Sequence, residues 1–215
     1  MTQKQMSLFN APIASVSQGG KVIKYATLYP SRSVTIEEVW KLITSDLDLL
    51  KSTTAVRLAA DMRAAKTALL PYITACGVFS YRNSSSLVSL SGYVVVDVDH
   101  LDSTKEAEEM RKRLFNDDYL QPALVFISPS GRGVKAFVPY DTSRTADATQ
   151  NAITNTLWAM QYVQMTYCPT DREKGVDTSG KDLVRACFLC HDSGALLRTE
   201  KSNSSDTILT PSTNE

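Results

Sequence analysis

The sequence lacks several features that would narrow its function at once. Its 215 residues contain 23 Lys or Arg and 23 Asp or Glu, so the formal net charge is +0 and no overall basic field attracts nucleic acid. No apolar run approaches the length of a membrane span, and residues 1–7 lack the apolar stretch of a secretory signal. A nucleophile-elbow glycine pattern is also missing, which gives serine hydrolysis little support. These absences predict a cytoplasmic protein without a membrane partner, in which any polyanion contact comes from a local patch.

Cysteine and histidine are also scarce. With four cysteines and no secretory signal, we expect free thiols in a reducing cytoplasm. The segment Cys187-Phe-Leu-Cys-His191 has the spacing of a c-type haem attachment or, together with Cys168, could form a zinc site. A strand would turn cysteines three residues apart to opposite faces, so we favour buried thiols. His100 and His191 are the only histidines, and a local hydrogen bond is the ordinary role for each.

Length and composition predict one main domain in which helices and strands alternate. Hydrophobic residues make up 43% of the chain and charged residues 21%, as in globular proteins. We therefore predict an α+β (α/β mixed) fold with a central mixed sheet flanked by helices. An extension of strands (1–30) precedes the main domain (31–197), and a Ser/Thr/Asn-rich, disordered tail (198–215) follows. Strands are predicted at 6–16, 21–29, 73–81, 87–98, 123–127, 134–139 and 183–189, and helices at 35–44, 58–70, 105–114 and 146–165.

The most informative stretch is Gly92-Tyr-Val-Val-Val-Asp-Val-Asp-His-Leu101, which predicts a buried strand that ends in acids. Asp97 and Asp99 are two residues apart, so the period of a strand points both side chains to the same face. Two adjacent carboxylates repel each other unless a cation or a proton lies between them. We interpret the pair as ligands of a divalent metal, Mg2+ or Mn2+. The alternative is a strand that ends in a solvated acidic loop.

A second stretch, Phe126-Ile-Ser-Pro-Ser-Gly-Arg-Gly-Val-Lys-Ala-Phe-Val138, predicts a glycine loop between two strands. It is not the P-loop of nucleoside triphosphatases, which needs a longer spacing and a helix after the lysine. Its glycines let the backbone approach an oxyanion, its serines add hydroxyl donors, and its cations suit phosphate, which favours nucleotide binding. An ordinary hairpin loop with surface cations is the alternative. The residues with these three properties are Gly131 and Gly133, Ser128 and Ser130, and Arg132 and Lys135.

A third stretch, Gly175-Val-Asp-Thr-Ser-Gly-Lys-Asp-Leu-Val-Arg-Ala-Cys-Phe188, adds two acids and a cation. Asp177 or Asp182 would complete a carboxylate cluster with the two acids of the buried strand. Arg185 would pair with a phosphate or with one of those acids. The alternative is a polar loop with Arg185 in a structural ion pair. Periodicity does not show that the three stretches converge.

Together, these stretches resemble the family of VirE-like N-terminal domains, also called BT4734-like domains. Members of that family are common in Bacteroides-type bacteria, their mobile elements and phages. The family looks related to the archaeo-eukaryotic primase and primase-polymerase superfamily, and its members often accompany a helicase. The matching segments cover roughly residues 30–192 in the family's order: Lys66-Thr-Ala-Leu-Leu-Pro-Tyr-Ile-Thr-Ala-Cys-Gly-Val-Phe79, Ser91-Gly-Tyr-Val-Val-Val-Asp-Val-Asp-His-Leu101, Phe126-Ile-Ser-Pro-Ser-Gly-Arg-Gly-Val-Lys135 and Asp182-Leu-Val-Arg-Ala-Cys-Phe188.

The resemblance implies a primase-like fold and metal-dependent nucleotidyl transfer in DNA replication or in a mobile element. It assigns Asp97 and Asp99 to the metal, with Asp177, or Asp182 as second choice, as a further ligand. The nucleotide motif falls on residues 128–135, and Arg185 would join it on the phosphates. Implied partners are a nucleoside triphosphate, a single-stranded DNA template and a helicase on another chain. Charge alone suggests Arg57, Arg63 and Lys66 as template contacts.

One departure from the superfamily leaves alternatives open. Lys135 stands where the superfamily usually has a histidine. Lysine still binds a phosphate as a point charge, so nucleotide binding survives the change while catalysis is in doubt. The alternative is a catalytically inactive nucleotide- or DNA-binding module with a primase fold. A metal-dependent nuclease is a third hypothesis, and it would shorten strands rather than extend them.

Overall fold

The computed structural model describes residues 4–143, 147–168, 175–177, 182–198 and 208–209, which form an α+β fold. Within these ranges the helices are α1 (Ile36–Ser45), α2 (Leu47–Leu58), α3 (Met62–Leu69), α4 (Thr104–Phe115) and α5 (Ala148–Tyr167). The strands are β1 (Met6–Phe9), β2 (Val16–Gln18), β3 (Lys21–Lys24), β4 (Arg32–Val34), β5 (Tyr72–Thr74), β6 (Gly77–Phe79), β7 (Leu87–Leu90), β8 (Tyr93–Asp99), β9 (Leu124–Ile127), β10 (Val134–Pro139), β11 (Gly175–Val176), β12 (Ala186–Phe188), β13 (Leu196–Arg198) and β14 (Ile208–Leu209).

The helices begin where polar side chains cap them. The backbone N–H of Glu38 donates to the Thr35 hydroxyl at 3.3 Å, and the Glu38 carboxylate accepts from the Thr35 N–H at 2.8 Å. This is the capping box that the sequence predicts before α1. Ser103 and Asp147 cap α4 and α5 through their side chains. The helices predicted at 35–44, 105–114 and 146–165 are confirmed to within about two residues at each end.

The segment between residues 46 and 70 differs from the single helix predicted at 58–70. It forms two helices, because Asp46 and Asp61 each cap a new one by accepting from the N–H three residues later, at 2.7 and 2.9 Å. The sequence does not predict α2, since its buried side places Thr53 between Leu49 and Val56. A threonine there interrupts the apolar period.

The strands form two main sheets, with four strands in the order β12-β5-β1-β4 and six in the order β11-β8-β10-β9-β13-β14. Every strand pairing in the ranges given above is antiparallel, so the prediction of a mixed sheet is wrong. Short connections explain this, because the glycine loop between β9 and β10 is too short for a parallel crossover. The strand predicted at 87–98 divides at Gly92, whose φ of +75° turns the chain.

The six-stranded sheet separates two hydrophobic clusters. On one face, Val94, Val96 and Val98 of β8 pack with residues of α4 and α5. On the other face, Tyr93 belongs to the cluster that contains the four-stranded sheet and α1. Because side chains alternate along a strand, Asp97 and Asp99 lie on this second face, toward the four-stranded sheet.

Short strands lie near both ends of the chain. β2 and β3 form a separate two-stranded ribbon around the Gly19–Gly20 turn, and the strand predicted at 21–29 ends at Lys24. The strand predicted at 6–16 divides near Pro12, which has no N–H for a ladder. The tail predicted at 198–215 falls mostly outside the described residues; within it, Ile208–Leu209 pairs with β13. No helix among those placed by the structure is long and apolar enough to cross a membrane.

Candidate functional site

Three aspartates from neighbouring strands meet at one edge of the six-stranded sheet. Asp97 and Asp99 project from β8, and Asp177 directly follows β11, which pairs with β8. The backbone N–H of Asp177 donates to the carbonyl oxygen of Asp97 at 2.9 Å, which fixes the third acid beside the first. One carboxylate oxygen from each aspartate lies within 4.8 Å of the others. The fold thus joins acids that stand in separate stretches of the sequence.

Two cations lie among these acids. Lys135 is the register partner of Asp97 across β10 and β8, and its ammonium donates to Asp97 Oδ2. Both side chains are nearly buried, with 9% and 13% of their surface exposed. Arg185 donates from Nη2 to Asp177 Oδ2, in a pair that is about one third exposed. Of the two roles that the sequence leaves open for Arg185, the structure contains the pairing with an acid.

Burial and charge shift the proton affinities of this cluster. The pKa of Asp99 is raised, first because burial disfavours the charged carboxylate and next because Asp97 repels it. Burial is the largest single effect on Lys135 and disfavours its charged form, but the charge of Asp97, the hydrogen bond to it, and the nearby Cys187 and Asp99 together outweigh burial and raise the Lys135 pKa above its usual value. Lys135 therefore stays charged, and ionised Asp99 would be stabilised by a further cation.

The two carboxylate oxygens of Asp97 differ in their hydrogen bonding. Asp97 Oδ1 is buried and lacks a hydrogen-bond partner in the described part of the protein. Mg2+ binds oxygens at about 2.1 Å, so opposite ligands lie roughly 4.2 Å apart and a small contraction of the cluster suffices. One oxygen of Asp97 and one of Asp177 are held by cations. The residues fit a divalent ion provided that Lys135 and Arg185 shift, and Asp97, Asp99 and Asp177 would then hold it.

A small cavity lies beside the acids, with a volume of about 30 Å³. This volume accommodates an ion or a water molecule beside the acids. Its lining includes Asp97, Asp177, Lys135 and Arg185 on the polar side and Ala75, Met160 and Cys187 on the apolar side.

Gly133 holds the glycine loop against the acids. A side-chain carbon at this position would lie 2.8 Å from Asp99 Oδ1, 2.8 Å from Ser128 Oγ and 2.6 Å from the carbonyl oxygen of Val98. Only glycine allows so close an approach between the loop and the end of β8. Ser128 is thereby brought close to Asp99, so the first and second predicted stretches meet.

The loop uses several of its own donors. The Gly131 N–H donates to the carbonyl oxygen of Ser128 at 2.9 Å, and the Arg132 N–H donates to Ser130 Oγ at 3.2 Å. The hydroxyls of Ser128 and Ser130 are bonded to each other at 3.0 Å. Some of the loop donors that the sequence predicts for an oxyanion are therefore used within the loop in this conformation. Arg132 is an exposed cation at its rim and donates from Nε to the carbonyl oxygen of Leu101.

The motif segments coincide with a known protein family. The model of the family described as "BT4734-like, N-terminal domain" matches residues 64–196, which is more than half of the chain. The chain belongs to this family. No curated protein and no solved structure matches it significantly. The matched BT4734-like segment contains the three acids, the two cations and the glycine loop.

Arg57 lies outside the matched BT4734-like segment and yet contacts its glycine loop. It extends from α2, and its Nε donates to the carbonyl oxygen of Pro129 at 3.2 Å. Its guanidinium carbon is 3.9 Å from the place that a Cβ on Gly131 would take. From the sequence, Arg57 is only one of several surface cations, because α2 is not predicted. The signal that could have placed it is Asp46, an N-cap residue immediately before the helix.

Asp182 is not part of the acidic cluster of the BT4734-like domain. Its Oδ1 accepts from Ser84 Oγ at 3.3 Å and from the Val184 N–H at 3.2 Å, so it holds the turn that leads to β12. Of the two candidates for the third ligand, Asp177 is the one that lies with Asp97 and Asp99.

The cysteines of the domain are free, and among the described residues no cluster of metal-ligating side chains includes the motif that ends at His191. Cys187 and Cys190 are buried, and the Cys190 thiol donates to the carbonyl oxygen of Ile127 at 3.1 Å. Burial raises the pKa of Cys187 to about 11 and that of Cys76 to about 12. The prediction of free, buried thiols is confirmed for this motif.

Proposed function

We propose that the chain is a primase-type nucleotidyltransferase that uses Mg2+ or Mn2+ to extend a nucleic-acid primer. The convergence of Asp97, Asp99 and Asp177 with phosphate-binding groups around them carries the proposal. Carboxylate clusters that hold divalent ions are the common machinery of nucleotidyl and phosphoryl transfer. Kinship with VirE-like domains and with the archaeo-eukaryotic primases is part of this proposal and is supported by the same motifs.

Lys135 and Arg185 would exchange partners during the proposed reaction. A divalent ion held by the three acids would activate the primer 3′-hydroxyl and stabilise the in-line displacement at the triphosphate. Each cation would then turn from a carboxylate to a phosphate oxygen, which accepts charge-assisted hydrogen bonds equally well. The hydroxyls of Ser128 and Ser130 would donate to the same phosphates. Arg57 and Arg132 would add positive charge at the rim.

A specific observation favours a second candidate, a catalytically inactive nucleotide- or DNA-binding module. The nearly buried Lys135–Asp97 pair already neutralises one of the three acids. If these cations never leave the acids, the domain would bind nucleotide phosphates at its rim without turnover. In both cases we expect a replicative helicase on another chain as the partner.

Calorimetric titration of Mn2+ and dATP into the wild type and into Asp97→Asn/Asp99→Asn tests the proposal. We expect metal-dependent nucleotide binding in the wild type and its loss in the variant. The matched control is Asp48→Asn/Asp118→Asn, which removes two exposed acids far from β8 in the sequence and should bind like the wild type. Absence of metal-dependent nucleotide binding in the wild type would contradict the catalytic proposal.

Product analysis with a 5′-labelled primer on a single-stranded template separates the candidate functions. Strands that lengthen only with Mg2+ or Mn2+ support nucleotidyl transfer. Shortened strands would mean a metal-dependent nuclease. Binding without any change in strand length would mean the inactive module.

A further inference from the structure

The β2–β3 ribbon is an element whose side chains are mostly exposed. It forms its own two-stranded sheet, and all four residues of β3 are exposed. Val22 and Ile23 expose 44% and 61% of their surface, and Tyr25, which follows β3, exposes 78%. Gly19 and Gly20 close the turn with φ values of +57° and +77°. An isolated hairpin of this kind is marginal in water, so a ligand that covers it would also stabilise it.

The ribbon is part of a segment whose charge has one sign. The first 36 residues contain Lys4, Lys21, Lys24 and Arg32 but no Asp or Glu, although the whole chain has a formal net charge of +0. Arg32 is paired with Glu38 and Lys4 lies over the Tyr93 ring, so the ribbon itself presents the positive charge of Lys21 and Lys24. A neutral protein needs a local basic surface of this kind in order to bind a polyanion. Lysines also blunt exposed sheet edges, but that role does not account for the exposed tyrosines beside them.

Exposed tyrosines and a further arginine surround the base of the ribbon. Tyr29 exposes 69% of its surface and packs edge-on against Tyr81, with ring centroids 5.0 Å apart. The next residue, Arg82, donates its backbone N–H to the carbonyl oxygen of Leu28 at 2.9 Å. Cations interleaved with open aromatic faces are the combination that binds single-stranded nucleic acid without sequence preference.

The base of the ribbon is hydrogen-bonded to the four-stranded sheet, in which β12 directly follows Arg185. The Tyr72 hydroxyl donates to the carbonyl oxygen of Thr27 at 2.5 Å, and Tyr72 is the register partner of Phe188 on β12. Lys66 Nζ lies 5.3 Å from the centroid of the Phe188 ring. Phe188 is three residues from Arg185, which is about 10 Å along a strand. Tyr72 is fully buried, so these contacts fix the base of the ribbon to the sheet that carries Phe188 and leave any bound strand to run over the surface above them.

We propose that the β2–β3 ribbon and its base bind single-stranded nucleic acid and guide the template strand toward the acidic cluster. Lys21 and Lys24 point to opposite faces of β3, so the nucleic acid crosses the edge of the ribbon with phosphates against both lysines, and Tyr25 and Tyr29 stack on bases. The assignment to the template rests on the proposed function, whereas the binding itself does not need catalysis. The ribbon lies outside residues 64–196, so this surface is an addition to the part that the family model matches.

The test is the fluorescence anisotropy of a fluorescein-labelled 20-nucleotide oligo(dT), measured in EDTA and without nucleotide over a range of salt concentrations. We expect Lys21→Glu/Lys24→Glu to weaken binding by more than tenfold and to reduce the slope of log affinity against log salt by about 1.4. Tyr25→Ala should weaken binding about tenfold with little change in slope. The matched control is Lys41→Glu/Lys51→Glu, which reverses two exposed lysines on α1 and α2 and should bind within about twofold of the wild type.

The outcomes separate this inference from the proposed function. Asp97→Asn/Asp99→Asn should keep the oligonucleotide affinity of the wild type, because the ribbon does not use the metal. Equal losses in the ribbon and control variants, or no loss in the ribbon variants, would overturn the inference and leave nucleotide binding untouched. Wild-type self-association that the ribbon variant abolishes, with unchanged oligonucleotide affinity, would also overturn it, since the ribbon would then be a protein interface.

Discussion

The Lys135–Asp97 ion pair contributes to the stability of the fold and also occupies part of the proposed metal site. Removal of one partner from a nearly buried ion pair leaves an uncompensated charge, which costs about 3–5 kcal/mol. We therefore expect Lys135→Met to lower the free energy of unfolding by roughly that amount, and Lys135→Met/Asp97→Asn to recover most of it. Urea denaturation of the two variants and the wild type measures both effects.

Added Mn2+ gives this experiment its functional readout. Because Lys135→Met frees both oxygens of Asp97, Mn2+ should stabilise this variant more than it stabilises the wild type. The double variant, which lacks the carboxylate, should gain less. Equal stabilisation of all three proteins would show that Asp97 does not bind the ion.

The raised pKa of Asp99 predicts that this carboxyl lowers the stability of the folded protein as the pH rises. Its carboxyl binds a proton more tightly in the folded chain than in the unfolded chain, where the pKa is about 3.9. Stability therefore falls as the pH rises from that value through the raised one, and ionised Asp99 destabilises the ligand-free protein at neutral pH. Asp99→Asn should raise the melting temperature at pH 7, and the difference should shrink toward pH 4.

Thermal melts from pH 4 to pH 8 in EDTA provide that comparison. Asp118→Asn, at an exposed acid, is the control and should follow the wild type at every pH. A melting temperature of Asp99→Asn at or below that of the wild type at pH 7 would contradict this prediction, because it would show that ionised Asp99 does not destabilise the folded protein.

Residue patterns in the sequence predict the acids better than their partners. The spacing of Asp97 and Asp99 fixes a shared face as soon as a strand is assumed. The partner of Asp97 depends on strand register, which pairs Lys135 with it, and register is set by contacts between segments far apart in the chain. The sequence therefore predicts Lys135 as a phosphate ligand and does not predict its ion pair with Asp97.

At the scale of elements, the close approach of the glycine loop to β8 depends on Gly133. A methyl group there would press on the Asp99 carboxylate, on Ser128 and on the backbone of Val98. We expect Gly133→Ala to cost about 1–3 kcal/mol of stability and to abolish metal-dependent nucleotide binding, because the loop must move away from the acids. Urea denaturation and calorimetry measure the two effects.

Gly19→Ala is the matched control for Gly133→Ala. A Cβ at Gly19 meets nothing within 4 Å, although its φ of +57° is strained for alanine, at about 1 kcal/mol. This variant should keep nucleotide binding. If Gly133→Ala binds metal and nucleotide like the wild type, the loop is not part of the site.

Helix ends were predictable where a side chain caps the first turn, as at Thr35. Strand ends were less so. The run at 73–81 divides into β5 and β6 at a tight turn before Gly77, and its apolar composition does not reveal the break. The helix α2 was missed because Thr53 faces the core, where its hydroxyl is satisfied by the carbonyl oxygen of Leu49 at 2.7 Å.

At the scale of the whole molecule, the part outside the family match completes the fold. β1 lies between β4 and β5 in the four-stranded sheet, and α1 supplies core residues such as Val39 and Ile43. A fragment of residues 64–196 would expose the apolar surface that these elements cover. We expect it to lack a cooperative thermal transition by circular dichroism.

The ribbon provides the control for that truncation. Replacement of residues 16–25 by a short Gly/Ser linker should leave the melting temperature within a few degrees of the wild type, because these side chains are exposed or half-buried. Ser15 and Ala26 are already joined by a hydrogen bond of 3.1 Å, so a short linker spans the gap. A cooperative transition of the fragment near that of the whole chain would contradict this account.

The arrangement of the sheets was the least predictable feature. The order β11-β8-β10 brings Asp177, Asp97 and Lys135 side by side, although about 40 residues separate each from the next along the chain. Alternation of helices and strands indicated the α+β class but favoured a mixed sheet. Only the long-range pairings decide that β12 belongs to the other sheet, from which Arg185 reaches Asp177.

The most direct test of the central claim is the electron paramagnetic resonance signal of free Mn2+, titrated with protein and dATP. We predict that the wild type removes Mn2+ from solution in the presence of dATP and that Asp177→Asn weakens this binding at least tenfold, because one of the three carboxylates is lost. Equal Mn2+ binding by the wild type and Asp177→Asn would contradict the account, since the acids that the fold brings together would not act as one site.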